Sequence, residues 1–149
     1  MRHHGAMNGD GNRRRTWLAQ GRRAPGLDDT GPPLASYVGG LRGPVVNASW
    51  PLVRLNLFPN GLRLQPNNRM FKSVVPIWEA LFDELTEVQA VGRIKWLSTG
   101  IRFRAGSQGE WVVFWAHDRP QVLASVQERG VGVNPVPVPF HYLSPGTQP

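Results

Sequence analysis

Cysteine is absent from this 149-residue chain, which excludes disulfides, thiolate metal sites and a thiol nucleophile together. Long apolar runs are missing too. No stretch approaches the ~18 residues that cross a bilayer as a helix, so no transmembrane segment is expected. Histidine is scarce: His3, His4, His117 and His141 show no HxxxH or HExxH spacing, and no metal site follows from them. There is no glycine-rich phosphate loop and no EF-hand spacing. Neither a catalytic residue nor a cofactor is expected. Acidic residues number 10 against 17 basic ones, a net charge of +7, and Arg supplies 15 of the 17. Arg14-Arg15-Thr16-Trp17-Leu18 looks like a twin-arginine signal, but Ala19-Gln20-Gly21-Arg22-Arg23 follows instead of an apolar core. The export reading therefore fails and a cytoplasmic location is expected.

Glycine and proline, 17 and 14 in number, concentrate towards the two ends. Residues 1–46 show no period of 2 or 3.6. Such a segment cannot offset the ~1–2 kcal/mol per residue of backbone entropy lost on ordering. It is predicted to be a disordered Arg/Gly/Pro-rich tail, with the fold beginning at Val45 or Val46. The tail carries seven Arg against three Asp, and residues 47–133, the predicted domain, carry a net +3. Residues 134–149 are predicted to form an extended proline-rich tail. There Val136, Val138, Phe140 and Tyr142 alternate with Pro137, Pro139 and His141, a pattern suited to lying along a sheet edge and blunting it.

Between the tails, hydrophobic periodicity predicts a mainly β domain. Val53, Leu55 and Leu57 alternate with Arg54 and Asn56, and Leu62 and Leu64 with Arg63 and Gln65. These strands form a hairpin around Pro59-Asn60-Gly61, where Asn-Gly suits positive φ. Residues 70–91 fit two templates. Ile77, Leu81, Leu85 and Val88 have helical spacing, whereas Trp78, Ala80 and Phe82 alternate as a strand. The β context favours a strand to about Phe82, a helical turn at Asp83–Leu85 and a strand from about Glu87 to Val91. Arg93–Leu97 is a further strand candidate. Ile101 and Phe103 alternate with Arg102 and Arg104, and Gly106-Ser-Gln-Gly109 turns the chain into the apolar run Trp111–Ala116, which reads as a strand covered on both faces. A helix then follows, with Asp118 and Gln121 as a capping pair, Pro120 in the first turn, an apolar stripe of Val122, Leu123 and Val126, and Gly130 as its left-handed stop.

Three stretches, 51–64, 75–88 and the strand–helix unit at 110–130, resemble bacterial PH-like or GRAM-like domains of the pleckstrin-homology-like superfamily. The resemblance covers about residues 48–133. It implies an α+β, mainly β fold: a small antiparallel barrel of six or seven strands capped by one C-terminal helix. It also implies a binding or scaffolding role without catalysis. In phosphoinositide-binding relatives basic residues crowd the first hairpin loop; here that loop, Pro59-Asn60-Gly61, has none, and only Arg54 and Arg63 stand nearby.

The expected function is a non-enzymatic binding or scaffolding domain for a protein partner, reached through a sheet edge or the face beside the helix. The alternative is an anionic membrane surface or nucleic acid met by Arg54, Arg63, Arg93, Lys95, Arg102 and Arg104, with Trp96 or Trp50 as an exposed aromatic. Glu79, Asp83, Glu84 and Glu87 read as a solvated acidic face, and Trp78, Trp111 and Trp115 as core.

Overall fold

The computed structural model describes residues 21–43, 47–73, 75–92 and 99–139. Its elements are β1 (Ala35–Arg42), β2 (Asn47–Phe58), β3 (Gly61–Pro66), a 3-10 turn (Arg69–Phe71), β4 (Trp78–Leu81), a second 3-10 turn (Phe82–Glu84), β5 (Leu85–Gly92), β6 (Thr99–Ala105), β7 (Glu110–Trp115), helix α1 (Arg119–Gln127) and β8 (Asn134–Pro139). The strands form one sheet in the order β4-β3-β2-β1-β7-β6-β5-β8. All neighbours are antiparallel except β5 and β8, which run parallel.

The expected closed antiparallel barrel of six or seven strands is therefore corrected to an open, mixed, eight-stranded sheet. Laid flat at ~4.8 Å per strand, β4 and β5 would stand about 29 Å apart. Yet the second 3-10 turn alone joins them, and Leu81 to Leu85 can span about 14 Å at most. The sheet must curl. It stays open because both facing edges are taken. β8 occupies the outer edge of β5, with Val91 opposite Val138. Arg22 occupies the edge of β4, accepting from Glu79 N at 2.7 Å and donating to Ile77 O at 2.9 Å.

The predicted disordered tail is likewise corrected for the residues described. β1 lies mid-sheet, pairing with β2 on one side and β7 on the other. Its Gly39 and Gly40, which break any alternation, mark close approach rather than disorder. A Cβ on Gly39 would fall 2.0 Å from Trp115 O and 2.8 Å from the Phe114 ring, so no side chain fits between the strands. Ala24, Leu27 and Phe58 form a small buried cluster, which holds the segment before β1 against the β2–β3 hairpin. The predicted start at Val45 or Val46 thus falls after an integral strand.

The β2–β3 hairpin forms as predicted, with Phe58 paired to Gly61. Its turn uses no positive φ: the described residues with positive φ are all glycines, and Gly61 is not among them. Gly61 is required instead by space, because a Cβ there would meet Ala80 O at 2.5 Å. The strand–turn–strand reading of 78–91 and the β6–β7 hairpin also form, with Gly106 and Gly109 at positive φ. Residues 93–98, including the strand candidate there, lie outside the described residues.

The core fills the concave face. Val53, Leu55, Leu57, Leu62, Leu64, Trp78, Ile101, Phe103, Val112 and Phe114 meet Val122, Leu123 and Val126 of α1 in one cluster. Arg119 Nη1 donates to Val91 O at 2.8 Å, and Tyr37 and Ser125 share a hydroxyl hydrogen bond of 2.6 Å, tying α1 to β5 and β1. β7 is covered on both faces, as its composition predicted, but Trp111 and Trp115 are only half-buried. They pack around Val91, Val113 and Val138 on the outer face, so of the three expected core tryptophans Trp78 alone is internal. Asp118 makes no side-chain cap bond. Gly130 does take the left-handed conformation, at φ +83°. None of the described helices is long and apolar enough to cross a membrane.

Candidate functional site

Most of the charged residues singled out above face one another. Arg63 on β3 stands opposite Glu79 on β4; its Nε donates to Glu79 Oε2 at 2.7 Å, it also pairs with Asp29, and it lies over the Phe58 ring at 5.2 Å. Burial alone would lower the Arg63 pKa, but the hydrogen bonds to Asp29 and Glu79 outweigh it and raise the value. Glu79 is only 4% exposed and also accepts from Ala24 N at 3.0 Å. Arg102 and Arg104 on β6 flank Glu87 on β5: Arg102 Nε is bonded to it, and Arg104 Nε is 4.0 Å away. Arg54 bonds Asn67 Oδ1 and Ser36 Oγ, each at 3.0 Å. Glu79, Glu84 and Glu87 thus do not form the solvated acidic face that was expected; each is held by arginine, and Asp83 stays exposed. Arg93, Lys95 and Trp96 lie outside the described residues. Arg54 and the Arg102–Arg104 pair are further separated by β1 and β7.

Arg22 is heavily committed. Its Nε donates to Glu110 Oε2 at 2.9 Å, Nη2 to Glu84 Oε2 at 2.7 Å and Nη1 to Glu79 O at 2.7 Å. The guanidinium also sits 5.7 Å from the Trp78 ring. Burial, which by itself lowers its pKa, is outweighed by the two carboxylates, so the value rises. Burial would raise the Glu84 pKa, but the Arg22 guanidinium and the Leu81 N–H hold it below the ordinary value.

Free positive charge collects elsewhere. A cleft of about 610 Å³ opens between the end of β3, the first 3-10 turn and the segment leading into β4. Arg23, Arg69 and Lys72 supply its charged rim, and Val75, Pro76 and Ile77 form an apolar wall. The turn sorts its residues by direction. Asn68 Oδ1 accepts from Met70 N at 3.2 Å and starts it. Lys72 N then donates to Arg69 O at 3.2 Å, which brings Arg69 and Lys72 into the eclipsed i, i+3 relation of a 3-10 helix. Phe71 faces the core, and Met70, 79% exposed, faces solvent. Among the described residues no acid pairs with Arg69 or Lys72. Among the same residues Arg23 has only Glu79 at 4.0 Å, a carboxylate that Arg63 already holds. Of the described residues expected from sequence, Arg63 alone reaches this cleft. Sequence periodicity does not single out these residues: Arg69 follows the Pro66-Asn-Asn loop, Lys72 falls in the segment that fits two templates, and Arg23 lies in the predicted tail; the i, i+3 spacing of Arg69 and Lys72 is the available signal.

Trp50, 56% exposed, meets His117 edge-on with ring centroids 5.8 Å apart. His117 is therefore a surface partner of an aromatic ring. The hairpin loop that the family resemblance marks out is exposed at Pro59 and Asn60 and tied to the preceding chain, for Asn60 accepts from Asp28 N and donates to Gly26 O, both at 2.8 Å.

No protein-family model matches the chain, and no curated protein matches it. Among solved structures it is similar to the C-terminal domain of an unknown protein from Leishmania infantum, with a TM-score of 0.54, 13% identity, and coverage of 83% of this chain and 96% of that domain. At that identity the likeness concerns the fold alone.

Proposed function

We propose that this chain is a cytoplasmic, non-enzymatic binding module, and that its protein partner presents an acidic segment to the cleft rimmed by Arg23, Arg69 and Lys72. One observation carries the reading: Arg69 and Lys72 stand side by side with no acid between them. Like charges at neighbouring positions repel, and an incoming anion relieves that repulsion. Met70 favours a protein over a bare polyanion, since an exposed thioether beside two cations offers adaptable apolar contact at the rim. The sheet edges are poor candidates. Arg22 covers one, and the prolines of β8 leave the other short of donors. The Arg-bearing strands are weaker candidates too, because Arg54, Arg63 and Arg102 already have internal partners.

The test is fluorescence anisotropy of a labelled glutamate-rich peptide at low and physiological salt. The expected result is binding that weakens with salt and disappears in Arg69→Glu/Lys72→Glu. Equal binding by that variant would remove the cleft from consideration.

A further inference from the structure

We propose that the partner group seated between Arg69 and Lys72 is a phosphate monoester on a side chain, an inference that rests on the reading above and specifies its ligand. Four cations and no acid line the cleft. Arg63 is neutralised by Glu79 and Asp29, and Arg23 shares Glu79. Two whole positive charges, those of Arg69 and Lys72, remain uncompensated among the described residues, in one eclipsed pair. A carboxylate or a phosphodiester brings a single negative charge. A phosphorylated serine or threonine brings about −1.5 to −2 at pH 7, with three strong acceptor oxygens in a compact group. Unlike a single carboxylate or a phosphodiester, it matches both cations and has an oxygen left to accept from Arg23. The rest of the cleft is too large for a phosphate alone and is walled by Val75, Pro76 and Ile77. Apolar residues flanking the phosphorylated position would lie there, in the manner of arginine-cluster recognition of phosphorylated segments.

The experiment titrates the full chain, followed by amide NMR shifts, with three capped pentapeptides of the form Ala-Leu-X-Leu-Ala. X is phosphoserine, glutamate or serine, and adenosine monophosphate serves as a fourth probe. Phosphoserine is expected to bind about tenfold or more tightly than glutamate at pH 7.5, the effect of one added charge-assisted contact. This advantage should shrink towards pH 5, as the phosphate takes up its second proton with a pKa of about 6. Arg69→Gln/Lys72→Gln should abolish the preference while leaving the melting temperature unchanged, since both side chains are exposed. Equal affinity for phosphoserine and glutamate would overturn the phosphate inference and leave the acidic-segment reading standing. Tighter binding of adenosine monophosphate, lost in the same variant, would overturn it in favour of a nucleotide. No binding by any anionic probe would overturn both.

Discussion

Replacing Arg22 with glutamine tests how the curled sheet is held at its open side. The guanidinium is 11% exposed, and its partners Glu84 and Glu110 are 32% and 21% exposed. Breaking a fully buried pair on one side costs about 3–5 kcal/mol, whereas an exposed pair contributes about 0–1 kcal/mol. The geometry lies between these limits, so Arg22→Gln should cost about 2–3 kcal/mol, or roughly 10 °C in Tm for a domain of this size. The loss should depend on pH. Glu84 is held below its ordinary pKa chiefly by Arg22. Its contribution is therefore present in full above the unfolded value of about 4.3 and fades as pH falls through the lower folded value. In the variant the part of that contribution due to Arg22 is already gone, and only the Leu81 N–H remains. Urea unfolding at pH 7 and pH 3.5 should give a wide gap between the two proteins at neutrality and a narrower one in acid. A loss below about 0.5 kcal/mol at pH 7, the range of ordinary surface substitutions, or a gap that does not narrow, would refute the reasoning.

Other substitutions separate the structure from simpler readings. Gly39→Ala should cost about 3 kcal/mol by overpacking β1 against β7, while Gly132→Ala, with nothing within 4 Å of the added carbon, should leave thermal unfolding unchanged; a silent Gly39→Ala would return β1 to the disordered tail. Asp118→Ala should cost well under the ~1 kcal/mol typical of a lost N-cap, because its carboxylate caps nothing, and denaturant melts would show it. Val126→Ala, at a fully buried site, should lose about 1–3 kcal/mol in the same melts. Deleting residues 1–33 should lower Tm and promote self-association seen by light scattering, since it bares the β4 edge.

Sequence periodicity carries the elements with one face in and one face out. The alternation of β2, β3 and β6 and the apolar stripe of α1 are legible because each residue's partner lies at a short, regular spacing. The turn at Phe82–Glu84 was legible to within a residue, as a helical turn at Asp83–Leu85, because the surrounding β context favours strands on either side of it. β1 was not, since a strand pressed between two neighbours needs glycine where the backbones touch, and glycine erases the pattern. Barrel closure was also beyond reach. It depends on which segment takes the outer edge of β5, and proline-bearing β8 does so from more than 40 residues downstream. The ion pairs of Arg22 with Glu84 and Glu110 join residues 62 and 88 apart, which no local window connects. Arg69 and Lys72 were within reach, had the 3-10 turn been recognised.

The curl of the sheet has a mechanical corollary. β4 and β5 are joined directly, and the outer flank of each is closed by a stretch from an opposite end of the described chain, residue 22 on one side and residues 134–139 on the other. A tether applied at these two stretches would load the outermost rungs first and leave the central hairpins unstressed. Single-molecule pulling between them should release a small, early extension before the body of the domain yields.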